Sequence, residues 1–442
     1  MKTQIPQRSN THYHTDAIQG TYQNFPQDNW HEDLLAVNPW AASFLKDGLQ
    51  IATDEFSQKC KQASHARWLA GTDVWNHWAD KMLELKGILE QAQLWYQDEN
   101  GEGTNDETKS WLALADAIFS SLVLKRGKDG YIDFESFVFP AATWFVDAQF
   151  IGEIHFQNAK FYGDAHFDRT KFIGKTNFTK TIFNGQAMFR NMSFTGHVTF
   201  EATCFFGNAQ FGKTKFMGGT NFNLSVFNGS TDFSGTQFVG DGMYENVIFT
   251  GDVTFAHSRF AGTAWFPSAS FIGNTDFSNA LMIGDAWFSD VKFIGNAQFD
   301  RTKFPFNARF DNAHFSGITS FQDAEFSDNT SFAHSRFVGE TGLDANALPE
   351  TAEINTISIT GPMRKEREQI KFNEMFPSLQ RNTTSLLDGT QFKPTSNFGH
   401  AKVDTPQAVE DMASVIPVNN NSSESDNSES ETKWFKPFQN SA

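Results

Sequence analysis

Ala165-His166-Phe167-Asp168-Arg169-Thr170-Lys171-Phe172 is the stretch of this chain that decides its fold. Two phenylalanines stand five residues apart, and each has a small or hydroxylated residue two positions before it. The next Phe, at 178, lies six residues on, and Phe183 lies five beyond that. Followed outward in both directions, fives and sixes alternate from Phe134 to Phe337, so the true period is eleven. Of the 38 ladder positions 36 are Phe, and Tyr244 and Met282 take the other two. A single inserted residue would break this phase, and none occurs.

Two further columns travel with the ladder. Ala, Thr, Ser, Val or Gly occupies most positions two before a Phe. Gly occupies the second position of most six-residue gaps, from Gly152 and Gly163 through Gly295, with Ala141, Phe306 and Asp328 as exceptions. The block FAHSRF appears at 255–260 and again at 332–337, and DRTKF at 168–172 and 300–304; these offsets of 77 and 132 are multiples of eleven. Growth by duplication explains them.

Recurrent Gly, Thr, Asn and Asp are poor helix material, and hairpin turn signals between long strands are missing. A coil turning a corner every five or six residues fits. Phe and the small residue two before it share one side of a short extended segment and point inward. Residues between them face water. Gly is expected to supply the backbone freedom needed at the six-residue corners.

Units such as Ala165-His166-Phe167-Asp168-Arg169 and Ala297-Gln298-Phe299-Asp300-Arg301 resemble those of pentapeptide-repeat proteins, in the Phe-rich subgroup where alternate units have six residues. The resemblance covers residues 134–337. It implies a mainly β fold, a right-handed quadrilateral β-helix of about nine coils with 22 residues per coil. It also implies two functions as alternatives: a DNA mimic that binds type II topoisomerases, or a secreted bacterial effector.

Outside the ladder the chain divides into a flexible N-terminus (1–30), an α-helical cap domain (31–127), the solenoid (128–340) and a largely disordered acidic tail (341–442). Trp75, Trp78, Met82, Leu85 and Leu89 fall on one helical stripe, with Gly71 as a break and Asp73 as a cap. A second helix starts with the capping-box spacing of Thr104 and Glu107 and is expected to continue through Trp111, Leu112, Ala115 and Phe119. Asn419–Glu431 cannot bury a core. A short helix near Arg364–Phe376 and the aromatic–basic Trp434–Phe438 are further features of the tail.

Charge and motifs exclude several classes. The net charge of −17 falls mainly on the flanks, leaving −4 on residues 141–340. Cys60 and Cys204 are the only cysteines, too few for a disulfide framework, which favours a reducing, cytoplasmic setting. The opening MKTQIPQRSN has no apolar run of a secretory leader, and no stretch suits a membrane span. Asp129–Glu135 resembles the middle of an EF-hand, but Lys125, Gly127 and Ser136 fall where calcium needs ligands. No catalytic constellation, metal motif or cofactor signature is present, so the reading is a bacterial, non-catalytic protein-interaction scaffold without cofactors.

In such a coil the residue before each Phe faces outward, and residues 22 apart stack. Met243, Trp265, Trp287 and Arg309 then form one surface column, the primary candidate for a protein partner, with a cation–π contact expected between Trp and Arg. Ile182, Val226 and Ile248, with Cys204 among them, form a second. Lys171, Lys215, Arg259 and Lys303 form a third, on alternate coils. Four charges on a near-neutral rod make a poor footprint for nucleic acid.

Overall fold

The computed structural model describes residues 30–45, 53–97, 104–125, 130–342 and 358–359. The expected tail features, at Arg364–Phe376, Asn419–Glu431 and Trp434–Phe438, lie outside them.

From Ala117 onward the chain winds into four parallel sheets of 11, 10, 10 and 11 strands. Each strand is two or three residues long. We call the four sides faces A to D, in the order the chain meets them at Thr143–Trp144, Gln149–Ile151, Glu153–His155 and Lys160–Phe161. Every neighbour in a sheet is 22 residues away along the ladder, as where Phe172 pairs with Phe150 and with Phe194. Backbone bonds join successive coils at each corner; Phe145 N–H, for example, donates to the His166 carbonyl at 2.7 Å. Ring packing follows the same repeat. Phe150 lies over Phe172 at 4.7 Å and 1°, and Phe178 over Phe200 at 4.8 Å and 1°. Rings within a coil meet edge to face, as Phe167 and Phe178 do at 90°. Stacked and edge-on rings are both favourable quadrupole geometries.

Some of the hydroxyl residues two before Phe add a second bond, while others, such as Thr143 and Thr176, have none among the described residues. Thr170, Thr181, Thr203 and Thr236 donate their hydroxyls to the carbonyls of Phe145, Phe156, Phe178 and Phe211, one coil below. Buried hydroxyls need such partners.

The Gly column has a different cause from the one expected. Most of its members have ordinary φ, and Gly152 and Gly174 are the exceptions. What they lack is room: a Cβ on Gly207 would sit 2.4 Å from the Gly185 carbonyl oxygen, and one on Gly295 2.4 Å from that of Gly273. Left-handed φ falls instead in the five-residue units, two after Phe, at Asp147, Asn158, Arg169, Lys180 and onward every eleven residues. Side chains of many kinds tolerate that single αL position, at a cost that the flanking ladder bonds hold in place.

The winding runs further than the Phe ladder at both ends. Helix ends at Ala115 rather than continuing through Phe119. Phe119 instead stacks on Phe145 at 4.9 Å. Ala117 pairs with Thr143, 26 residues on, whereas Ile132 pairs with Ile154 at the regular 22. That four-residue excess hides the first coil from any search in strict phase. At the other end Thr341–Gly342 joins face A and Ser358–Ile359 joins face D, so part of the expected tail belongs to the solenoid.

Before the solenoid come helices α1 (Trp30–Val37), α2 (Ala42–Leu45), α3 (Asp54–Ala70), α4 (Thr72–Gln91) and α5 (Asp106–Ala115). The stripe read from the sequence is buried along α4. Asn105, one residue after Thr104, caps α5 by accepting the Thr108 N–H at 3.0 Å, and Gly71 rather than Asp73 precedes α4 as its cap. α3 and α4 cover the first coil. The Trp68 and Trp75 indoles donate to the carbonyls of Asp133 and Val138, both at 2.8 Å. Trp75 packs on Phe119, Phe137 and Phe139. The Asn76 amide accepts from Val138 N–H and donates to the Ser136 carbonyl. These contacts close an edge that would otherwise offer unpaired strand groups and bare rings.

Candidate interaction surface

Face C carries the primary column. Met243 pairs with Trp265, Trp265 with Trp287, and Trp287 with Arg309, each on the next coil. The two indoles lie 5.4 Å apart at 45°. All four side chains are half-buried, so each is held by its neighbours and shows one side to solvent. Arg309 departs from expectation. Its guanidinium sits 3.8 Å from the Asp311 carboxylate, and the cation–π contacts among the described residues are elsewhere, Arg67 over Trp78 and Lys86 over Trp95 and Trp111. A full opposite charge two residues away outcompetes the ring quadrupole.

A contribution that the outward-position rule missed lies at the corner between faces B and C. The residues one or two after a face B Phe are turned out there, one after it at Met217 and Val239 and two after it at Phe306. Met217, Val239 and Phe306 are 48%, 44% and 57% exposed. Phe306 stands where the Gly column is broken. The ladder slackens beside it, since Leu281 pairs with Lys303 but Met282 and Phe304 form no second pair. The departure from the repeat was visible in the sequence; its outward direction was not. Val239, Met243, Trp265, Trp287, Pro305 and Phe306 thus lie on face C or at its corner with face B, over four successive coils.

The second column is assembled on face D, where Ile182 pairs with Cys204, Cys204 with Val226 and Val226 with Ile248. All are half-buried. Burial raises the Cys204 thiol pKa above its ordinary value, which disfavours the reactive thiolate.

Face A holds a trough of about 680 Å³ lined by Asn208, Gln210, Asp232, Asp252, Asn274 and Asp276 among others. Several of these oxygens already serve the coil. Asn208 and Asp252 accept the backbone N–H groups of Ser230 and Asn274, one coil up, at 3.0 and 2.7 Å. At the start of face C, Asp133, Glu135 and His155 bring ligand-type atoms within 4.8 Å of one another. Asp133 accepts the Glu135 N–H at 2.8 Å, and His155 stacks on Tyr131 at 4.5 Å. Both sets read as coil-to-coil packing. The remaining His residues are dispersed. His166 stacks on Trp144 at 3.8 Å, and burial lowers its pKa.

The most perturbed acid lies at the junction of helices and solenoid. Burial pushes the Asp116 carboxyl up to about 7, against the bond it accepts from the Trp144 indole at 3.1 Å. Burial also pushes the Cys60 thiol up to about 12, with Asp116 adding to the effect. Among the described residues no helix is long and apolar enough to cross a membrane.

Four parallel sheets closed around stacked Phe, with outward columns and a Gly corner, define a repeat protein of the parallel β-solenoid class. A family model described as pentapeptide repeats (9 copies) matches residues 156–203, 211–259, 255–303 and 299–345. The matched part of the solenoid is built of pentapeptide repeats. Comparison with the curated proteins and with the solved structures gives no match.

Proposed function

We propose that this protein is a non-catalytic interaction scaffold whose face C presents the strip of Met243, Trp265, Trp287 and Arg309 to a protein partner. The observation that carries the reading is the run of half-exposed Trp and Met on adjacent coils, continued by Phe306, on a rod whose other outward columns are mostly polar. Contiguous apolar surface on a folded domain marks contact sites, and Trp and Arg dominate binding energetics. The Ile182, Val226 and Ile248 column is a second, smaller surface of the same kind. Unpaired Cys60 and Cys204 fit a reducing compartment such as the cytoplasm. A DNA mimic needs an acidic rod, and the exposed cations of face B work against that alternative.

The test is an affinity capture from native lysate with wild type and a Trp265→Ser, Trp287→Ser variant of equal thermal stability. A partner held by wild type and lost by the variant supports the strip. A partner held equally by both moves the site to another surface.

A further inference from the structure

The structure sets a second basic residue beside each member of one cation column, three of them Arg or Lys and one a His. Lys171, Lys215, Arg259 and Lys303 are outward residues of face B. Two positions before each, at the αL corner that leads into the same face, stand Arg169, Lys213, His257 and Arg301. The pairs recur every 44 residues, or two coils, about 10 Å at ~4.8 Å per strand spacing. All eight side chains are exposed. The intervening coils offer Asn191, Ser193, Gly235, Gln237, Asn279 and Leu281, and no carboxylate occupies an outward position of face B between Gln149 and Lys303. The first and last pairs are anchored, Arg169 to Asp147 and Lys303 to Glu325, both at 2.8 Å. Among the described residues Lys171, Lys213, Lys215, Arg259 and Arg301 have no carboxylate within ion-pair distance.

We propose that face B is a track for a linear polyanion, and that its ligand is a single-stranded nucleic acid. Charge complementarity sets the sign. An extended strand can follow the stacked strands of one face, whereas a duplex strand winds away from that face within one helical turn of about 34 Å. A second observation points to bases. At the edge of the track, three residues after Lys303, Phe306 is 57% exposed, and an aromatic platform beside a basic row is how single strands are held without sequence preference. The overall charge of −17 does not oppose this, since contacts at the surface are governed by charges within a screening length of about 8 Å.

Fluorescence anisotropy of a labelled dT20 strand with the full-length protein tests it. Binding is expected at 50 mM salt and should weaken about 50-fold on going to 200 mM, the value for four neutralised phosphates at a slope of −0.7 each. Lys213→Ser with Lys215→Ser should cost at least tenfold. Lys180→Ser, on a different corner, and the Trp265→Ser, Trp287→Ser variant should bind as wild type. The last comparison keeps this proposal separable from the face C reading. Absence of binding at 50 mM salt, equal binding by the Lys213 and Lys215 variant, or tighter binding of a 20-base-pair duplex or of heparin would each overturn it.

Discussion

Gly251 lies directly over Gly229, so close that a Cβ on Gly251 would fall 2.5 Å from the Gly229 carbonyl oxygen. At Gly235, by contrast, φ is +63° and the nearest atom to a Cβ is the Lys213 Cγ at 3.5 Å. The two glycines look alike in the sequence and answer opposite needs. Gly251→Ala should therefore lower stability by about 1–3 kcal/mol, because backbone must move to relieve the overlap. Gly235→Asn places a residue tolerant of αL where space exists, and should leave the thermal midpoint unchanged or raise it. Equal destabilisation by both would show that backbone freedom, not room, is what the corner glycines supply.

Tyr244 occupies a ladder position with its hydroxyl fully buried and unbonded among the described residues. Tyr244→Phe removes a desolvated polar group from a site already shaped for a Phe ring, and should stabilise by about 1 kcal/mol. Burial holds the phenol pKa well above its ordinary value. The unfolded chain therefore loses this proton first as pH rises past ~10, and stability falls there. Thermal melts between pH 9 and 11 should show a shallower decline for the Phe variant.

The Asp116 carboxyl, raised to about 7, gives a second pH dependence. The folded state keeps a proton that the unfolded state releases near pH ~4. Its favourable contribution is complete below that pH and is lost as pH climbs through about 7. Asp116→Asn should flatten the fall of the thermal midpoint between pH 4 and 7, and should gain most over wild type at pH 8. An unchanged pH profile would place the responsible group elsewhere.

Trp75 is wholly buried between the helices and the first coil, with its indole bonded to the Val138 carbonyl. Trp75→Ala should cost about 3–5 kcal/mol locally. In a quasi-one-dimensional array the loss should stay near that end. Hydrogen exchange is expected to accelerate over residues 117–139 while amides around Phe315 keep their protection. Uniform acceleration along the rod would mean that the solenoid unfolds as one unit.

How much of this was written in the sequence depends on the residue. Phe167, Phe172 and Ala165 could be placed because a strict period leaves one geometry that buries them all, and burial of apolar rings dominates the energetics. The same period put Met243, Trp265 and Trp287 on one line, since residues one coil apart must stack. Phe119 could not be placed, because four extra residues shift it out of phase and only its contact with Phe145 restores it. Arg309 turned to Asp311 rather than Trp287, a choice between two near neighbours that depends on side-chain position alone.

The sequence by itself thus determined the coil, its inward faces and the members of each outward column, because hydrophobic repetition fixes register. Only the tertiary structure decided what lies between columns. It showed that glycine at the corners is demanded by an overlying backbone, that Phe306 turns outward, and that Arg309 pairs with Asp311. Those relations are set by close approach in three dimensions, where a few tenths of an ångström decide the outcome and spacing along the chain carries no information about them.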